Sequence, residues 1–197
     1  MNKTKFFKLM AAAGALSALA ACGGGGDEGG GAVIGQNGTV DVNSVAMSGG
    51  EACGIGGFAQ KLLAEINAAR AKDRSCGGQH MAAAPAIPYW NTLLQTAAVK
   101  HSADMASNNF FSHTGSGGSY SYDRVQSTGY RGASAEILVN STGSFSSSQI
   151  IGRAVNAWLN SPEHCQALME QDWKEIGAGC VLRPNKSYLT LIFGAGQ

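Results

Sequence analysis

A basic surplus is missing from this chain of 197 residues, which carries 14 Lys and Arg against 13 Asp and Glu. Three of those lysines, Lys3, Lys5 and Lys8, stand at the extreme N-terminus, and without them the balance is 11 to 13, a net charge of about −2. No basic stripe is left to neutralise phosphates, which argues against a nucleic-acid partner. Long apolar runs are also missing. The one clear stretch, Leu9 to Ala21, is too short for the roughly 20 residues that a membrane-spanning helix needs. Two catalytic signatures are absent as well: there is no His-Glu-x-x-His helix and no G-x-S-x-G nucleophile elbow. No aromatic residue stands between Gly23 and Gly50.

What is present at the N-terminus is a short basic head, an apolar small-residue run and Leu19-Ala20-Ala21-Cys22. This layout is that of a signal peptide over residues 1–21. Its end resembles the lipobox of bacterial lipoproteins. That resemblance implies cleavage before Cys22, lipidation of its sulfur and a membrane partner held through acyl chains, at the bacterial cell envelope on the extracytoplasmic side. Gly23, rather than Asp, follows the cysteine; in a Gram-negative cell the usual sorting rule would then send the protein to the outer membrane. Residues 22–50 are glycine-rich and cannot bury enough surface to offset their ordering entropy, so they are expected to form a flexible tether. Residues 51–197 are of a size for one domain.

Beyond Cys22 the cysteines are Cys53, Cys76, Cys165 and Cys180, an even number that suggests disulfides in an exported domain. Three pairings are open. The favoured one joins Cys53 to Cys76 and Cys165 to Cys180, because each bond closes a modest loop.

Apolar periodicity predicts helices over 57–72, from Trp90 to Phe110, from Tyr122 to Thr128, from Ser147 to Asn160 and from Glu163 to Glu170. AEILVN from Ala135 has strand character, and KEIGAGCVL with SYLTLIFGA reads as a hairpin with a long loop around Arg183-Pro184-Asn185-Lys186. The expected fold class is α+β, with helices flanking an antiparallel sheet. His101 falls on the apolar stripe of the second helix and is read as a buried histidine that packs and makes one hydrogen bond. His80 is read as a solvated loop residue, and Arg124 as a fold contact to an acid beneath it.

His113, Glu136 and His164 each stand at the edge of an expected element. The surrounding segments LLAEINAARA, AAVKHSADMASNNFFSHTG, DRVQSTGY, AEI, AWLNSPEHCQALM and EIGAGC resemble, in order and spacing over roughly Lys61 to Gly194, the CAP superfamily: cysteine-rich secretory proteins, antigen 5 and plant pathogenesis-related proteins, here in the bacterial SCP-like branch. The resemblance implies a three-layer α-β-α sandwich with a cleft lined by two histidines and two glutamates. Carried over, these are His113, Glu136 and His164. Trp158 plus three, where the family places its second glutamate, is Ser161, and Glu163 replaces the glycine of the usual Ser-Pro-Gly-His. Ile137 stands where an asparagine is common, and Tyr188-Leu189-Thr190-Leu191 where Tyr-Trp-x-Gln is frequent, so the cleft is less polar than the family's.

Two imidazoles and a carboxylate suit a weakly held divalent cation such as zinc at His113 and His164, with no cofactor required. They suit equally a hydrogen-bonded network that shapes a cleft for a lipid, peptide or envelope ligand, which is the preferred reading. A metal-assisted hydrolase acting on envelope peptides or glycans, and a structural surface protein without a ligand, are the alternatives. No catalytic residue is assigned and the oligomeric state is left open.

Overall fold

The computed structural model describes residues 37–143 and 146–197. The leader 1–21, the lipobox with Cys22 and the first part of the tether lie outside the described residues. From Asn37 the chain already belongs to the fold, so the tether expected through residue 50 ends sooner. Thr39–Val40 forms β1, Val40 is buried, and Thr39 Oγ1 donates to Glu175 Oε2 at 2.8 Å. A two-residue strand leaves too little hydrophobic pattern to stand out within a glycine-rich stretch.

Helix α1 spans Phe58–Arg70, α2 Thr92–Asn108, α3 Ser121–Ser127, α4 Ser147–Leu159 and α5 Pro162–Met169. Strand β5 spans Ser134–Thr142, β6 Glu175–Arg183 and β7 Lys186–Gly194, with short strands β2 Arg74–Cys76, β3 Gln79–Met81 and β4 Tyr89–Asn91. The helices fall within a few residues of their expected positions. Pro162 does more than end α4: it is the first residue of α5, where its missing N–H costs nothing. The β6–β7 turn is tighter than expected. Pairing runs to Arg183–Lys186, and Asn185 takes the left-handed conformation (φ 57°) that closes it.

The main sheet has the order β1-β4-β6-β7-β5, and β2–β3 form a separate hairpin. The sheet is mixed rather than wholly antiparallel, because β4 runs parallel to β6 over Tyr89–Glu175 and Trp90–Ile176. Alternation sorts the residues of β6 and β7 onto two faces. Ile176, Ala178, Cys180, Leu189, Leu191 and Phe193 join α1, α4 and α5 in one core. Ile192 and Tyr188 pack on the other face with residues of α2. Glycine is required beneath α2: a Cβ at Gly177 would come within 2.2 Å of Gln95 N, and one at Gly179 within 2.5 Å of Val99 Cα. The result is the expected three-layer α-β-α sandwich. The outer carbonyl of Leu138 on edge strand β5 is satisfied by the Trp158 indole at 3.0 Å.

The disulfides pair differently from the favoured expectation. Cys53 bonds Cys180 and Cys76 bonds Cys165, across 127 and 89 residues. The segment before α1 lies along β6, with Cys53 N–H donating to Cys180 O at 2.9 Å and Cys180 N–H to Glu51 O at 2.7 Å. This seats Cys53 on Cys180, while the β2–β3 hairpin packs on α5 and brings Cys76 to Cys165. Nearness in sequence was the wrong guide, because the chain returns to the sheet from both ends. Arg70 is a further brace that sequence reasoning missed. It is fully buried and donates to the carbonyls of Pro85, Leu168 and Glu170 at 2.6–3.0 Å. Burial lowers its pKa, with Glu170 acting in the opposite direction. Among the described residues no helix is long and apolar enough to cross a membrane.

Candidate functional site

Helix α2 ends at Asn109, which adopts a left-handed cap (φ 50°) and turns the chain toward His113. Two clamps then fix the loop. Asp104 on α2 accepts hydrogen bonds from the backbone and hydroxyl of Ser116 and from Asn108. His101, also on α2 and fully buried, donates from Nε2 to Ser112 O at 2.9 Å. A carbonyl can only accept, so the proton sits on Nε2, which leaves Nδ1 buried and without a partner. Burial, chiefly, lowers the His101 pKa; Arg124 adds to the effect, and Glu136 and Ser112 oppose it in part. The ring is therefore neutral near pH 7. Its expected packing and hydrogen-bonding role is what the structure shows, with the addition that it stands 3.9 Å from Glu136 Oε1.

Glu136 faces α2 from β5, opposite Ile192 in the strand register. Its side chain is 2% exposed, and both oxygens are engaged: Oε1 accepts from His113 Nδ1 at 2.9 Å and Oε2 from Arg124 Nη2 at 2.7 Å. Burial would raise the Glu136 pKa, but the two hydrogen bonds and the nearby positive charge of Arg124 outweigh it and lower the value. Arg124 also donates to Ser119 O and His113 O, tying α3 to the histidine loop. The acid expected beneath Arg124 is thus Glu136. The His113 side chain remains 56% exposed, with Nε2 pointing away from the bond to Glu136.

His164 does not join this group by a hydrogen bond. It lies half-buried on α5, in the layer opposite α2. Its pKa is lowered by burial first and then by the charge of His113, with exposed Glu163 opposing. The three expected residues therefore divide: His113 and Glu136 are bonded, and His164 is linked to His113 only electrostatically. Ser161, at the position of the missing second glutamate, precedes α5, and its carbonyl accepts from Cys165 N–H. His80 is solvent-exposed, as expected, 4.0 Å from Asp73.

Among the described residues no group of three or more His, Cys, Asp or Glu side chains is placed to hold a metal ion. The residues present do not form the three-ligand centre that His113, Glu136 and His164 would have made. A cavity of about 540 Å³ opens beside His113 and Glu136, lined also by Tyr120, Ser121, Tyr122 and the backbone of Gly132–Ser134. The two tyrosines escaped sequence reasoning; their one signal was a pair of aromatic residues in an otherwise Ser/Gly-rich loop.

With this geometry in view, the family model for the cysteine-rich secretory protein (CAP) family matches residues 63–193, and the chain belongs to that family. An outer surface protein from Borrelia burgdorferi superposes with a TM-score of 0.52 at 24% identity, covering 70% of this chain and 92% of that one. A crystal structure of NaASP2 with Zn2+ superposes with a TM-score of 0.51 at 15% identity, covering 70% and 79%. At these identities the likeness is one of fold. No curated protein sequence matches.

Proposed function

We propose that this chain is a non-enzymatic CAP module of the bacterial envelope, anchored by lipid on Cys22, that offers the cleft over His113 and Glu136 to a small amphipathic ligand or a partner. The observation that carries this reading is the half-exposed His113 imidazole held by a carboxylate whose two oxygens are already occupied. Such a ring is oriented to make a polar contact, and among the described residues no serine hydroxyl bonds to it as a nucleophile would. Two disulfides support an oxidising, extracytoplasmic setting. Weak divalent-cation binding belongs to the same proposal, with His113 Nε2 as the open ligand and His164 as the second. A metal-assisted hydrolase acting on envelope peptides or glycans is the second reading, favoured by the same His113–Glu136 pair, since a carboxylate-oriented imidazole can act as a general base.

The test is metal analysis of the purified chain before and after chelation, alongside a screen of peptide and glycan substrates. Neither stoichiometric zinc nor chelator-sensitive turnover is expected; finding both would establish the hydrolase. For the anchor, Cys22→Ala should leave the membrane fraction and lose its acyl label, and retention of both would refute lipidation.

A further inference from the structure

The rim of the cleft differs in chemistry from its floor. Tyr120 and Tyr122 are 65% and 63% exposed and line the same cavity, a local pair of exposed rings rather than a singly scattered one. The backbone beneath them is anchored, because Tyr120 N–H is bonded to Asp123 Oδ2 at 2.9 Å, and the Tyr122 hydroxyl accepts from Gln126. Between and beside them the Ser121 and Ser134 hydroxyls make no hydrogen bond within the described residues, and Ala133 adds no bulk. The charges beneath are consumed: Glu136 is saturated, and Arg124 spends its terminal nitrogens on Ser119, His113 and Glu136.

From this arrangement we infer that the ligand of the cleft is a neutral saccharide, with its C–H faces laid on Tyr120 and Tyr122 and its hydroxyls on Ser121, Ser134 and His113 Nε2. The inference rests on the binding-module reading above and names the ligand class. Charge decides against an ionic ligand, which would surrender its hydration with only His113 to meet it. Exposure decides against an acyl chain: on a rim more than half wet it would bury little area, at about 25 cal/mol per Å² removed from water. A sugar has the complementary build, an apolar ring face edged by hydroxyls that can stay hydrated on the outer side. Tyrosine supplies broad, stiff, amphipathic contact area at low conformational-entropy cost. The volume of about 540 Å³ lies within the range of small-ligand sites and accommodates a short oligomer.

The experiment is an NMR titration of the full chain carrying Cys22→Ala, with chitotriose and maltotriose as saccharide probes and laurate as the acyl probe. At least one trisaccharide should shift the amides of Tyr120–Tyr122 and Ala133–Ser134, with an affinity that falls tenfold or more in Tyr120→Ala and in Tyr122→Ala. Tyr122→Phe should bind within about threefold of the parent, because the ring rather than the hydroxyl is used. Saccharide binding unchanged by both alanine variants would overturn the placement. Laurate moving these amides while neither sugar does would overturn the saccharide inference and leave the binding module standing. Silence from all three probes would likewise overturn the saccharide inference.

Discussion

The two faces of the sheet are held by different kinds of bond. On the α2 face, polar contacts dominate: Ser102 bonds Gly179 O and Thr190, and His101, His113, Arg124 and Glu136 form a connected group around a buried carboxylate. On the opposite face, α1, α4 and α5 enclose the larger apolar core, which is secured by two disulfides and by Arg70. His164 rides on an element of the second face and His113 on a loop of the first. The contrast is one of bond type: covalent and apolar links dominate one face, while titratable and hydrogen-bonding groups cluster on the other.

If that division is real, the largest stability losses should come from the α1/α4/α5 face and leave the cleft unaltered. Replacing Cys53 and Cys180 together with alanine releases a 127-residue separation, and the chain-entropy account puts the loss at about 4–5 kcal/mol. Urea unfolding should record it, with the amides around His113 unshifted in NMR spectra. Next comes Arg70→Met, which orphans three carbonyls, two of them beside α5, and should cost about 3 kcal/mol. A loss below about 1 kcal/mol would mean that water replaces the guanidinium at no cost.

Smaller effects should come from the polar face, and they should depend on pH. Glu136 has a folded pKa below its ordinary value, so its contribution is complete above the ordinary carboxylate range and is lost as pH falls through the folded value. Glu136→Gln should therefore cost about 1–2 kcal/mol at pH 7 and flatten the acid limb of the stability profile below about pH 4.5. His101 is also shifted downward, so the fold favours its neutral form, and stability should begin to decline as pH drops below about 6.5. His101→Gln should remove part of that decline. An unchanged slope would mean that His101 does not carry it.

The smallest effect should come from His164→Asn. With no hydrogen bond to His113 or Glu136, this change should move stability by less than about 0.5 kcal/mol and reach the His113 resonances only through the lost His164 charge. Shifts as large as those caused by Glu136→Gln would show that the two faces are coupled through the imidazoles.

Some of this was readable along the chain. The 3.6-residue spacing of Phe58, Leu62, Leu63, Ile66 and Ala69 marked α1, and alternation in SYLTLIFG marked β7, because these signals arise from each element's own geometry. The strands β1 to β4 were missed, being two or three residues long and dependent on neighbours distant in sequence. The candidate residues His113 and Glu136 were legible through the motif, and so was the fate of His101, whose place on an apolar stripe implied burial. Their partners were less so: Arg124 could be assigned an acid, but only the β5 register shows which one.

Periodicity was enough for the helices, the long strands and the α+β class, while the three-layer α-β-α arrangement and the roles of the segments that carry His113, Glu136 and His164 were implied by the family resemblance. Three features came instead from the packed molecule: Cys53 meets Cys180 and Cys76 meets Cys165, the sheet gains a parallel joint at β4, and His164 rides on a different layer from the His113 loop. One cause underlies all three. Contacts between residues about a hundred positions apart are set by how layers stack once their apolar faces are buried, and chain distance holds no record of that stacking.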